Sequence, residues 1–250
     1  LPIEIDLIQT SLLLIAGFAS GFLNVTAGGG SALTLPLLIF LGLDSATANG
    51  TNRVAIVVQS LSAIASFKSD KYSEFGKSMK LAAITLPGGI LGAVTSLQMN
   101  DDVFNKVLGV IMLVIIISMI IPTPKKGKGQ EVPPNFWTFA AMFGVGLYGG
   151  FIQVGVGFMM MAILQKMLKM ELTRVNMHKV FIAFIFTTPA MIVFIISGNV
   201  NYLLGIVLAI GNAIGALVAA KISVRKGEKF IKIFLILSMI IMAIKLFDFI

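Results

Sequence analysis

Arg53 stands between two uncharged stretches, 45–52 and 54–67, so its guanidinium belongs to the interior or the rim of an apolar helix. A cation in that position marks a functional site by default. His178 and Lys179 begin a second apolar run, and Asn24, Thr26, Thr51, Asn52, Gln59, Gln153 and Asn176 scatter polar groups around both places. Snorkelling to lipid headgroups is the competing account of the two cations, and it weighs more on Lys179 because Lys166, Lys169 and Arg174 are close in sequence. No Asp or Glu falls inside these apolar runs. That argues against a carboxylate sodium site or an acidic proton relay, and it suits an anion.

Glycine supplies a second kind of chemistry. Gly28-Gly29-Gly30-Ser31, followed by Pro36, interrupts an apolar segment and would leave backbone N–H groups unpaired at the start of the next half-helix. Such donors, with about half a positive charge from the helix dipole, suit sulfite, sulfonate or carboxylate. Gly155 and Gly157 repeat the pattern later in the chain. Glycines also permit close helix packing. Packing is the expected role of the pairs Gly17/Gly21, Gly88/Gly92, Gly146/Gly150 and Gly211/Gly215.

These groups need elements to hold them. Of 250 residues, 57% are hydrophobic and 12% charged, where a soluble domain carries about a quarter charged residues. Uncharged stretches cover 7–43, 81–100, 107–124, 132–165 and 180–220, and about 20 apolar residues cross a bilayer as a helix. Without period-2 alternation a barrel is excluded, leaving an all-α polytopic membrane protein. Glu4 and Asp6 stand where a cleavable signal would be basic, so 7–24 is expected to be retained.

Basic loops face the cytoplasm. Lys68, Lys71, Lys77 and Lys80 place 68–80 inside, Asp101 and Asp102 place 98–105 outside, and Lys125, Lys126 and Lys128 mark 122–135 as a cytoplasmic linker. By the same reasoning 166–179 is inside, 197–202 outside and 221–232 inside, with both termini outside the cell membrane. Segment 136–165 then starts and finishes on one side. It must turn back, as two short kinked helices or a re-entrant hairpin, and 7–43 poses the same problem.

Internal similarity accounts for both. The segment 17–25 aligns with 146–154, Thr51-Asn52-Arg53 falls opposite Met177-His178-Lys179, and Gly88/Gly92 falls opposite Gly211/Gly215. Corresponding loops carry opposite charge character, so the halves, 1–121 and 136–250, are expected to be inverted-topology repeats. Each would consist of a glycine-broken or re-entrant first segment followed by three transmembrane helices. Substrate would sit where the broken helices meet, and one half would move against the other. A membrane potential works on each exported negative charge by about 2.3 kcal/mol per 100 mV, which favours efflux of a divalent anion.

Other chemistries lack their residues. With no cysteine and a single histidine, thiolate and multi-histidine metal sites are ruled out. The net charge of +8 lies in short connectors rather than one patch, so nucleic acid is not an expected partner. The spacing Gly144-x-Gly146-x-x-Gly149 mimics a dinucleotide fingerprint without a strand before it. Two alternatives stay open: a cation or metal permease, and a membrane-embedded enzyme built on Ser20 and His178.

Taken together, the stretch from Gly17 to Pro36, the helix start Ala48-Asn49-Gly50-Thr51-Asn52 and the glycine-rich counterpart from Gly144 resemble the sulfite exporter TauE/SafE family of membrane permeases, over essentially the whole chain. The second copy departs from the first at Phe158, opposite Gly29, and at Met177, opposite Thr51. The resemblance implies export of sulfite, sulfoacetate or related sulfonates, with no prosthetic group. The residues singled out above are then expected to bind the anion: backbone donors at Gly28, Gly29, Gly30 and Ser31 and at Gly155 and Gly157, positive charge from Arg53 and Lys179, and hydrogen bonds from Asn24, Thr51, Asn52, Gln153, Asn176 and His178. Thr26 adjoins the first break. The expected partners are a small organic or inorganic anion and membrane lipid, with a homodimer as an open option.

Overall fold

The computed structural model describes residues 6–69, 75–120 and 131–222, with Ile240 and Ile244. Most of the 122–135 linker, the 221–232 connector beyond Ile222 and nearly all of the last expected span lie outside the described residues. Among the described residues the regular structure is helical. In order come α1 (Leu7–Thr26), α2 (Ser31–Phe40), α3 (Ser45–Ser69), α4 (Phe75–Leu97), α5 (Asp101–Ile120), α6 (Phe136–Phe151), α7 (Val156–Ala162, continued by a π turn Ile163–Met167), α8 (Leu172–Ile196) and α9 (Tyr202–Ile222).

Short polar side chains start these helices where the sequence places Asp or Asn. Asp6, Asp44, Asn100 and Asn201 each accept from a main-chain N–H three residues on, at 2.7, 2.9, 2.9 and 3.1 Å. Asn135 and Thr138 form a capping box. Each cap satisfies a donor that has no intrahelical partner. Helices α1, α4, α8 and α9 are long and apolar enough to cross a bilayer. They present large exposed side chains such as Leu7, Ile15, Ile196 and Ile206, as a lipid-facing surface does.

Both glycine-rich segments break. Residues 27–30 separate α1 from α2, and 152–155 separate α6 from α7. Val132 N donates to Leu168 O at 3.1 Å, so the chain entering α6 and the chain leaving the π turn lie side by side. Segment 136–165 therefore turns back on itself. Glu131 binds Arg174 and lies 3.9 Å from Lys77, which gathers the starts of α4, α6 and α8 on one face. At the other ends of α4 and α8, Ser45 N donates to Asp101 Oδ1 at 2.8 Å and Asn201 N to Thr51 Oγ1 at 2.9 Å, gathering the starts of α3, α5 and α9.

The most extensive helix contacts are α1 on α9 and α4 on α6. Both are built from the glycine pairs. A Cβ added at Gly21 would fall 2.1 Å from Asn212 O, and one at Gly215 2.0 Å from Phe18 O. Likewise a Cβ at Gly150 would fall 2.1 Å from Gly89 O, and one at Gly92 2.0 Å from Leu147 O. Backbones approach this closely only where no side chain intervenes. The pairs thus meet across the chain, Gly17/Gly21 with Gly211/Gly215 and Gly88/Gly92 with Gly146/Gly150.

Candidate functional site

Arg53 lies about two turns into α3 and is fully buried. Its Nη1 donates to Gly149 O at 3.2 Å and Gln153 Oε1 at 3.0 Å, and its Nη2 donates to Asn49 Oδ1 at 3.2 Å and to Gly150 O. Asn49 donates to Phe151 O at 2.7 Å, and Ile152 N closes on Tyr148 O at 3.0 Å. All four carbonyls that end α6, from Tyr148 to Phe151, are therefore satisfied. A helix that stops inside an apolar bundle requires this. The guanidinium also lies 4.9 Å from the Phe194 ring centroid, a cation–π distance.

Lys179, two turns into α8 and 2% exposed, does the corresponding work at α1. Its Nζ donates to Val25 O at 2.9 Å, in the last turn of α1, and to Asn176 Oδ1 at 3.0 Å, with Met161 Sδ at 3.5 Å. Each cation thus sits at the negative end of a broken helix from the opposite part of the chain. The two breaks also touch. A Cβ on Gly157 would fall 2.4 Å from Gly28 Cα, and one on Gly29 2.4 Å from the Phe158 ring. Phe158, the apparent departure in the second copy, fills the space that Gly29 leaves.

A cavity of about 30 Å³ lies between the breaks, with Asn24, Gly28, Ser31, Gln59, Ser60, Gln153, Gly157 and Lys179 among its lining residues, room for a water or two. Asn24 Nδ2 donates to Gln59 Oε1 at 3.0 Å. Gln153, in the left-handed region at φ 63°, accepts from Arg53 and donates to Thr187 Oγ1 at 2.8 Å. A non-glycine residue held there signals a strained, over-determined position. Gly28, at φ 91°, turns its N–H back to Leu23 O at 2.7 Å, so that donor is already used within the chain.

The other expected residues stand behind the cavity wall. Thr26 Oγ1 bonds Phe22 O of its own helix, Thr51 caps the approach to α9, and Asn52 Oδ1 accepts from Thr34 Oγ1 at 2.7 Å. Gly29 and Gly30 pack against Phe158 and the Ser20 backbone, Gly155 against Ile115, and Asn176 holds Lys179. His178 Nδ1 and Ser78 Oγ are 2.5 Å apart, while the buried Ser20 hydroxyl has no hydrogen-bond partner, so the two residues do not form a dyad. Sequence reasoning missed two residues. Asn49 could have been found four residues before Arg53, on the same helix face; nothing in its local context singles out Ser60.

Buried cations at two helix breaks beside a cavity, with four apolar spans among the described residues, fit a membrane carrier, and comparison with known proteins agrees. The sequence pattern of one family, sulfite exporter TauE/SafE, matches residues 13–246. The chain belongs to that family. This TauE/SafE chain is 26% identical to a probable membrane transporter protein, ORF9, of a Sinorhizobium species, over 94% of this chain and 91% of that protein. It is 25% identical to a probable membrane transporter protein of Haemophilus influenzae, over 98% and 96%, and 26% identical to the probable membrane transporter YjnA of Bacillus subtilis, over 87% and 91%. No solved structure matches the chain. This TauE/SafE protein is a multi-pass membrane transporter.

Proposed function

We propose that the protein exports small sulfur-containing anions, such as sulfite, sulfonates and sulfoacetate, across the cell membrane by alternating access between two inverted repeats, 1–121 and 136–250. The observation that carries this reading is Lys179, a cation on the wall of a cavity bordered by both helix breaks, with no carboxylate among the lining residues. An ammonium in apolar surroundings favours an anion over a cation in that space.

Pseudo-symmetry supports the mechanism. Helix α1 packs on α9 and α6 on α4, and Arg53 closes α6 as Lys179 closes α1. Two related halves that exchange partner helices would behave this way. The basic face that gathers Lys77 and Arg174 faces the cytoplasm on the positive-inside rule. Flux into liposomes holding purified protein, compared among sulfite, methanesulfonate, sulfate and sodium, tests the reading. Sulfite or sulfonate is expected to move and sodium is not; movement of sodium alone would overturn it.

A further inference from the structure

The Ser60 hydroxyl is buried and has no hydrogen-bond partner, although the residue is only 1% exposed and lines the cavity. A buried hydroxyl without a protein partner is a donor that a bound acceptor can satisfy. Most of its polar neighbours on the same wall are already engaged, Gln59 with Asn24, Gln153 with Arg53 and Thr187, and Lys179 with Val25 and Asn176, while Ser31 lines the cavity at the first break. Ser60 stands on α3, one residue beyond Gln59, while Lys179 enters from α8.

We infer that Ser60 is a substrate-binding residue whose hydroxyl donates to an oxygen of a small oxyanion held by Lys179. The inference rests on the anion-transport reading above and adds to it a requirement on the cargo: two acceptor oxygens, one for the ammonium and one for the hydroxyl. A buried hydroxyl that pairs with the cargo discriminates strongly against ligands that lack the matching acceptor. Asn24, Gln59 and Gln153 then act as the surrounding wall, their groups held by one another and by Arg53.

The test compares Ser60→Ala with the wild-type chain in two measurements. In proteoliposomes, Ser60→Ala is expected to raise the KM for sulfite about tenfold with the maximal rate retained, the loss of one hydrogen bond to a charged ligand. In detergent without sulfite, its melting temperature is expected to equal or exceed that of the wild type, because the hydroxyl it removes bonds to no other group of the protein. An unchanged KM would overturn the inference, and so would a lower melting temperature, which would show that the hydroxyl serves the fold. Should the wild-type protein move neither sulfite nor sulfonate, the transport reading fails first and takes this inference with it.

Discussion

Arg53 of α3 donates to the main-chain oxygen of Gly149, in the last turn of α6, at 3.2 Å, and so one buried side chain ends a helix that lies 96 residues further along the chain. The same guanidinium reaches Gly150 and Gln153. Arg53 does not line the cavity. Its role is to hold the second break in shape.

Replacing Arg53 by Gln is expected to lower stability and flux together. The Gly149 and Gly150 carbonyls would lose their partner, at about 1–3 kcal/mol for each buried group left unsatisfied. Thermal unfolding in detergent reads this directly. Arg53→Lys is expected to recover only part of the loss, because a single ammonium cannot reproduce the planar fork. A melting temperature unchanged in Arg53→Gln would remove the capping role.

Lys179→Gln separates charge from structure. Glutamine keeps a neutral donor of nearly the same length in place of the ammonium, so folding is expected to survive while sulfite flux falls at least about tenfold, the scale of one lost charged contact. Flux equal to that of wild type in a well-folded Lys179→Gln protein would place the anion elsewhere.

Glycine positions divide by what surrounds them. Gly150→Ala would drive a Cβ to 2.1 Å from Gly89 O, whereas a Cβ at Gly144 meets nothing within 4 Å. Overpacking of that kind costs about 1–3 kcal/mol or more. Gly150→Ala is expected to reduce the monodisperse fraction in size-exclusion chromatography and Gly144→Ala to leave it intact. Equal behaviour of the two would contradict the close α4–α6 crossing.

The chain has no cysteine, so single cysteines report sidedness without background. Glu131→Cys lies on the face that carries Lys77 and Arg174, and Asn199→Cys follows the far end of α8. An impermeant thiol reagent added outside intact cells is expected to label Asn199→Cys and spare Glu131→Cys, as the positive-inside rule requires. The reverse pattern would invert the proposed orientation.

Much of this architecture was legible in the sequence because it depends on local chemistry. Uncharged runs longer than a bilayer is thick can only be helices there. The helix starts at Asp6, Asp44, Asn100, Asn135 and Asn201 were not assigned from the sequence, and the structure shows them capped, since a short polar side chain reaches the free N–H groups of the first turn. The interruptions at 27–30 and 152–155 follow from glycines in apolar surroundings, and Arg53 drew attention by its charge alone.

What tertiary structure decided was which group faces which. Arg53 and Lys179 look equivalent in sequence, yet Arg53 is closed off by Asn49, Gln153 and two carbonyls, and Lys179 opens on the cavity. The partner exchange of α1 with α9 and α4 with α6 depends on surfaces that meet only when both halves are folded. Phe158 reads as a flaw in the repeat until its ring is seen over Gly29. Residue types determine what must be buried and what must be paired; where each group finds its partner is settled by contacts about a hundred residues apart, as between Arg53 and Gln153, and no local pattern encodes those.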